Sequence, residues 1–594
     1  MVTANLPFKI TSDHGHDEDI SKCPVFRMLP EKLRDESTAR DHLKNYLHLL
    51  PIDQLGTPQY YETLNRSMGD LQNPNLIYPV SEGIFVHIYP DPTDARNYYI
   101  SIEPGMTQDL STVMDEVETR LVDFVGEMDD TSADNKKRTQ LLLKSLSKIC
   151  TVRKGNANDS PGRNGSRVWG RRGGEEAALK SPGTLTSRNG KMVLTPSQYQ
   201  SLRYLMVRDK EGMGPLDALI HDPYIEDISC SGLGPLFVEH KIFKSLKASI
   251  SFSTFEELDS FVLRLSEKIG KPVTFRDPIV DATLPDGSRI NIVFGGDLSK
   301  RGSNFTIRKF SSSPLSVLQL IGFNTLSYEM AAYFSLVLGH GMNMFVAGET
   351  ASGKTTLMNA LTTFIHPTAK IVSIEDTPEL QVPHPNWTRE VVRGSTKSSS
   401  GAAVTMFDLL RAALRQRPNE IIIGEIRGEE GAIAFQAMQT GHAAMATFHA
   451  ASVEKLIQRL TGNPINIPKT YIDNLNVVAI QSMVRLPNGR EARRVLSINE
   501  IVGYDSSSDS FSFIEVFRWN PVDDVFEFTG NMNSYLLEER IAMRRGIPSS
   551  QKRAIYSELS RRANILKRLH QQKVEDFYEL YQVLSKAYRE GVFR

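Results

Sequence analysis

Cysteine is scarce in this chain. Only three occur in 594 residues (Cys23, Cys150 and Cys230), far apart and without a CxxC spacing. That excludes a disulfide scaffold and a Cys-rich zinc site, and it predicts a reducing, cytoplasmic compartment. Charge of one sign is also missing. Lys and Arg number 69 against 70 Asp and Glu, a net charge of −1. This balance rules out a chromatin coat, basic throughout, and an acidic halophile surface. Long apolar runs are lacking too. The start, residues 1–19, is polar, carries His14 and His16, and has no apolar core of a secretory signal. The most apolar stretch, Ala331 to Ala347, is interrupted by His340, Gly341 and Asn343. It reads as a helix end followed by a buried strand, not as a membrane span of about 20 apolar residues. What is present is 40% hydrophobic and 8% aromatic residues, enough for sizeable cores and roughly three to five domains.

Composition divides the chain. Residues 1–150 read as an accessory α/β region: a charged helical stretch (Glu31–Leu50), strands at Gly83–Tyr89 and Asn97–Glu103, and a long amphipathic helix from Leu110 to Ile149. Residues 151–193 hold eight Gly, nine Lys or Arg and three acids, the composition of a flexible basic linker. Residues 194–310 read as a mixed α/β domain. Its expected parts are a helix over Ser197–Arg208, strands at Ile225–Ser229, Leu236–Glu239 and Arg289–Val293, and a helix over Phe255–Ile269. Residues 311–510 alternate strand and helix, which predicts a parallel sheet. Residues 511–594 read as a helical region in which Phe577, Leu580, Tyr581, Leu584 and Tyr588 share one face. That stripe suits packing on the main body or on a neighbouring subunit.

The strongest signal is Gly348-Glu-Thr350-Ala351-Ser352-Gly353-Lys354-Thr355-Thr356, a full GxxxxGK[ST] match. Asn343–Ala347 before it reads as a short buried strand, and Thr355–Phe364 after it as a helix. A strand, a Gly-bearing loop and a helix N-terminus together aim backbone N–H groups at one point, which favours a polyphosphate. Gly348 and Gly353 permit backbone geometry that a side chain would forbid. Lys354 supplies a point charge for the β- and γ-phosphates, and Thr355 offers a hydroxyl to Mg²⁺.

Two further apolar strands end in acids. Lys370–Ile374 runs into Glu375-Asp376-Thr377-Pro378-Glu379, and Asn419–Ile423 runs into Gly424-Glu425-Ile426-Arg427. Ligands of open α/β sheets gather at the carboxyl ends of strands, so these acids can face a triphosphate. Glu425 takes the Walker-B position and holds Mg²⁺, directly or through water. Glu379 is the choice for activating water as general base, with Glu375 or Asp376 as alternatives. His442 and His449 flank a third strand-like piece and suit sensing of the γ-phosphate. Arg411 and Arg415 lie four apart on one helix face, and Arg289, Arg301 and Arg308 lie in the smaller domain. Such guanidinium forks could clamp phosphate, or form surface ion pairs.

At these residues the sequence resembles the secretion ATPase superfamily of type II/IV secretion and type IV pilus motors. The resemblance is carried by GETASGKTT, by Ile374-Glu-Asp-Thr-Pro-Glu379, by Ile-Ile-Gly-Glu425-Ile-Arg427, and by Thr440-Gly-His442 with Thr447-Phe-His449. Pro223–Ser229, Leu284–Arg289, Arg301–Phe310 and Ala413–Pro418 are similar to the archaeal branch, which includes the archaellum motor ATPase and the archaeal pilus-assembly ATPases. The resemblance implies a RecA-like P-loop ATPase domain joined to a smaller N-terminal α/β domain, six chains in a ring, and ATP in a cleft between the two domains. It also implies that Arg289, Arg301 and Arg308 reach nucleotide within or across subunits, and that Glu379 activates water. The expected work is ATP-driven motion of a polytopic membrane platform protein, by a motor associated peripherally with the cytoplasmic face of the membrane. No nucleic acid is expected as partner. A DNA-translocating ring would need basic pore loops, and a non-hydrolysing scaffold sits poorly with an intact Lys354, Thr355, Glu379 and Glu425.

Overall fold

The computed structural model describes residues 6–8, 23–127, 135–153, 190–310, 314–393, 403–487 and 489–593. Most of the polar start and most of the expected basic linker lie outside the described residues. The chain divides into two units, Met1–Phe310 and Ser311–Arg594.

The first unit carries β1 (Gln59–Tyr60), β2 (Leu76–Ser81), β3 (Ile84–Tyr89), β4 (Tyr98–Ile102), β5 (Cys150–Val152), β6 (Met192–Leu194), β7 (Ile225–Cys230), β8 (Gly234–His240), β9 (Lys244–Phe252), β10 (Ile279–Thr283), β11 (Arg289–Val293) and β12 (Asn304–Arg308). Ten of these make one sheet in the order β1-β2-β3-β4-β9-β8-β7-β12-β11-β10. The parallel pairing of β4 with β9 joins the expected accessory region and the expected α/β domain into a single sheet. The buried carboxylate of Asp222 fastens that joint: the hydroxyls of Tyr78 on β2 and Tyr99 on β4 both donate to it, at 2.7 and 2.8 Å. The expected long helix is broken, with α-helix over Ser111–Leu121, a 3₁₀ stretch over Val122–Glu127, and α-helix again over Asn135–Ile149. Both ends of the expected linker are ordered by burial. β5 and β6 pair in parallel, and Cys150, Met192 and Leu194 share a core with Leu142, Leu146, Leu202 and Met206.

The second unit carries β13 (Met344–Ala347), β14 (Ile371–Glu375), β15 (Trp387–Val391), β16 (Glu420–Glu425), β17 (Ala443–Phe448), β18 (Val477–Arg485), β19 (Glu491–Asp505), β20 (Ser510–Asn520) and β21 (Val525–Glu527). They form one sheet, β15-β14-β16-β17-β13-β18-β19-β20-β21. Pairing is parallel from β15 to β18 and antiparallel beyond. The parallel strands are covered on both faces, so their residues divide by the pleat between two cores. Met344, Val346, Ile371, Ile422, Met445 and Ala479 point into one, with the C-terminal helices. Phe345, Ala347, Val372, Ile421, Ile423, Ala446 and Ile480 point into the other, with the helices Met406–Arg415, Glu430–Gln439 and Val453–Thr461.

Residues 511–594 are not helical throughout: most of β20 and all of β21 extend the sheet before the helices Ile555–Gln571 and Phe577–Arg589 begin. The alternation Phe511-Ser-Phe513 suits a half-exposed antiparallel strand. Of the aromatic stripe, Phe577, Leu580 and Leu584 are buried within this unit, and Leu580 and Leu584 share a core with Leu357 of the helix that follows the phosphate loop. This is a RecA-like α/β fold with the loop-bearing strand β13 inside its parallel sheet.

Candidate functional site

Parallel strands present their carboxyl ends on one edge, and five of them bring polar groups there. Gly348 follows β13, Glu375 ends β14, Glu425 ends β16, His449 follows β17, and Gln481 on β18 lies one residue past the register partner of Ala347. The phosphate loop fills the middle of this edge. Its first residue is tied to the sheet, with Gly348 N–H donating to the Phe448 carbonyl at 3.2 Å. A Cβ on Gly348 would lie 2.1 Å from the carbonyl oxygen of Gln481, so only glycine lets the loop leave the strand this way. Gly353 caps the helix Lys354–Leu361 with φ of +95°, in the left-handed region. This turns the unpaired N–H groups of the first helical turn toward the loop.

Lys354 lies inside the loop. Its Nζ donates to the carbonyls of Gly348 and Glu349 at 3.1 and 2.8 Å. No carboxylate lies in ion-pair range of it among the described residues, and burial lowers its pKa while Glu425 and Glu379 act to raise it. A partly buried ammonium held only by carbonyls favours an anion beside it. The hydroxyl of Ser352, 1% exposed, has no hydrogen-bond partner. These residues, with the half-buried Thr355 next along the helix, fit a polyphosphate and its magnesium ion.

The acids separate into distinct roles. Glu375 is buried, and its Oε1 accepts the backbone N–H groups of Glu379 and Leu380, both at 2.7 Å. Arg389 approaches its Oε2 at 3.4 Å. Burial raises the Glu375 pKa against these bonds. Its carboxylate shapes the turn, and that turn carries the Glu379 side chain into solvent. Asp376 is exposed, 3.9 Å from Arg427. Glu425 sits between two partners: Arg427 Nη2 donates to its Oε2 at 2.7 Å, and His449 Nε2 lies 3.0 Å from its Oε1. Burial pushes the Glu425 pKa up, but Arg427, His449 and Lys354 outweigh it and hold the carboxyl below its ordinary value. Burial, then Lys354, lower the His449 pKa. The lowered pKa favours the neutral imidazole beside Glu425. Arg459 donates to the His449 carbonyl and fixes the strand end.

Other expected residues lie elsewhere. His442 precedes β17 at the opposite end from His449, roughly 20 Å away along the strand. Among the described residues its ring bonds locally, its Nδ1 3.1 Å from the Thr440 hydroxyl. Arg415 ends its helix, exposed, just before β16 enters the sheet, at the edge opposite the loop. In the first unit Arg289 and Arg308 are register partners across β11 and β12. Each is drawn outward by an acid, Arg289 to Asp281 at 2.5 Å and Arg308 to Asp227 at 3.3 Å. Arg301 lies at the far end of that hairpin, its Nη2 3.3 Å from the Leu233 carbonyl. The three arginines are thus two neighbours and one apart. Neighbours of the loop that the sequence reading passed over are Gln481 and Arg493. Gln481 is the one polar residue closing the run Val477-Val-Ala-Ile480, a signal that could have marked it.

The fold and the loop define a RecA-like P-loop α/β unit with acids on adjacent strand ends. The family model described as "Type II/IV secretion system protein" matches residues 209–533, and the chain belongs to that family. An uncharacterised protein of Methanocaldococcus jannaschii is 40% identical over 570 residues, 96% of this chain and 98% of its own length. The type IV secretion system protein PtlH of Bordetella pertussis is 34% identical over 229 residues, 35% of this chain and 68% of its own. Among solved structures, the Legionella pneumophila ATPase DotB aligns with 16% identity and a TM-score of 0.37, covering 63% of this chain and 95% of its own.

Proposed function

We propose that this chain hydrolyses Mg–ATP and works as a hexameric motor, powering assembly or rotation of an archaeal type IV pilus-like filament, archaellum or pilus, or type II/IV secretion. The observation that carries the reading is the gathering of Lys354, Glu425 and His449 at one sheet edge, with the turn bearing Glu379 beside them. Lys354 would leave its two carbonyls for the β- and γ-phosphates, while loop N–H groups hold the remaining oxygens. Thr355 and Glu425 would hold magnesium, which offsets phosphate charge when bound. Glu379 would take a proton from the water that attacks the γ-phosphorus, as the bond to the ADP oxygen breaks. His449 would feel the change in charge through Glu425. Force requires subunits that differ in nucleotide affinity, since equal affinity for two states shifts nothing. The partner would be a polytopic membrane platform protein met at the cytoplasmic face, and no nucleic acid enters the scheme. Membership of the family supports the reading. Among the described residues no helix is long and apolar enough to cross a membrane, so a membrane partner would be met by docking.

ATPase rates of the wild type and of Glu425→Gln test it. The variant is expected to lose about a hundredfold or more in turnover, and equal, negligible rates in both would overturn the motor reading. Light scattering with ATP reads the hexamer. Turnover raised by detergent-solubilised platform protein supports the filament or secretion role, whereas turnover raised by DNA replaces it with translocation.

A further inference from the structure

The roles above leave two side chains at the mouth of the loop without a task. β18 and β19 run antiparallel with Met483 opposite Arg493. From there the Arg493 side chain lies across the loop, its Nε donating to the Ala351 carbonyl at 3.2 Å. A Cβ on Gly353 would meet Arg493 Cδ at 3.0 Å and Gln481 Nε2 at 3.1 Å. Both side chains therefore touch the residue that sets the left-handed turn of the loop. Gln481 is 2% exposed, and its Oε1 is buried with no hydrogen-bond partner. The Ser352 hydroxyl beside it is likewise unpaired. Buried polar atoms of this kind are uncommon, and a water, an ion or a ligand group can complete their bonding. Arg493 itself is exposed, and no carboxylate pairs with it among the described residues. Among the described residues this guanidinium, laid against a phosphate loop, meets one neutral acceptor there, the Ala351 carbonyl.

We propose that Arg493, lying against Gln481, is a nucleotide-binding residue that exchanges the Ala351 carbonyl for phosphate oxygens of the bound nucleotide. The inference rests on the reading of the loop as an ATP site. The physical reason is the difference between the two acceptors. A carbonyl takes one N–H from a guanidinium, whereas a phosphate takes two in the fork geometry and adds its charge. Loading the loop would then pull on β19, and so couple the nucleotide to the antiparallel half of the sheet. Were Arg493 only a prop for the loop, its charge would not matter and its loss would loosen the nucleotide-free protein.

Titration of the full-length protein with a fluorescent ADP and magnesium separates these outcomes, using Arg493→Gln, Arg493→Lys and Lys354→Ala. Arg493→Gln is expected to weaken binding about tenfold, the worth of one charge-assisted contact, with an unchanged nucleotide-free melting temperature. Arg493→Lys, which keeps the charge but loses the fork, is expected to bind between Arg493→Gln and wild type. Wild-type affinity in Arg493→Gln overturns the proposal. So does Arg493→Lys as weak as Arg493→Gln, or a lowered nucleotide-free melting temperature. Lys354→Ala distinguishes the two levels: if it binds as wild type, the ATP site itself is misread. If it loses binding while Arg493→Gln does not, only the role of Arg493 falls.

Discussion

Glu375 and Glu379 are four residues apart and chemically alike, yet their surroundings are opposite. Glu375 is buried and already accepts two backbone N–H groups at 2.7 Å. The oxygen that accepts both is committed to holding the turn, and Arg389 lies 3.4 Å from the other. The Glu379 side chain makes no such commitment and faces solvent. Glu379→Gln is therefore expected to lower kcat by about 10²–10⁴, the usual worth of a general base. Glu375→Gln retains an amide oxygen for the same two N–H groups and is expected to cost far less. Steady-state ATPase assays of both variants check this, and a larger loss in Glu375→Gln would exchange their roles. At this scale the legible residues were those whose chemistry is local. Lys354 and Thr355 are set by a nine-residue motif, and Glu425 by the strand that precedes it. Arg493 was not legible, because it reaches Ala351 from 142 residues further along the chain.

A bidentate ion pair ties the antiparallel half of the second sheet to its last turn. Arg494, 3% exposed, donates to Asp524 through Nε and Nη2 at 2.7 and 2.8 Å. It joins β19 to the turn between β20 and β21. Arg494 and the Trp519 and Asn324 side chains hold the Asp524 pKa down to about 2. Asp524→Ala would leave the Arg494 charge buried without its carboxylate, at a cost of about 3 kcal/mol, the low end for a buried pair because Arg494 keeps its bonds to the Phe323 and Arg493 carbonyls. The wild-type contribution is complete above the ordinary carboxyl value of 3.8 and fades as pH falls toward 2. Denaturant unfolding at pH 7 and pH 3 checks both points: the gap between wild type and variant should narrow at the lower pH. Legibility at this scale followed burial. β13, β14 and β16, covered on both faces, are continuous apolar runs that a sequence exposes at once. β20, half exposed, alternates aromatic and polar residues, and the charged helices beyond it dominated the reading of residues 511–594.

Each half of the chain has its own sheet and its own apolar cores: Leu236, Ile290 and Phe305 among those of Met1–Phe310, and Phe334, Met358 and Val516 among those of Ser311–Arg594. A unit with a core of its own is expected to fold alone. Fragments 1–310 and 311–594, expressed separately, should each give a cooperative thermal transition; a fragment without one would show that its core needs the rest of the chain. The sequence reading drew a boundary near residue 150 and another near 194. It could not foresee that β4 pairs in parallel with β9, because pairing between distant strands leaves no mark in local composition.

The sequence by itself determined the phosphate loop, the strands that carry acids to its side, and the class of the second unit. These follow from motifs and apolar periods that act over a few residues, through backbone sterics and burial. Only the tertiary structure decided which groups meet. Strand direction put His449 beside Glu425 and His442 at the opposite edge. Sheet order laid Gln481 and Arg493 against the loop, and one buried carboxylate fixed the turn that presents Glu379. Proximity between distant segments comes from register and packing, which the whole chain sets together.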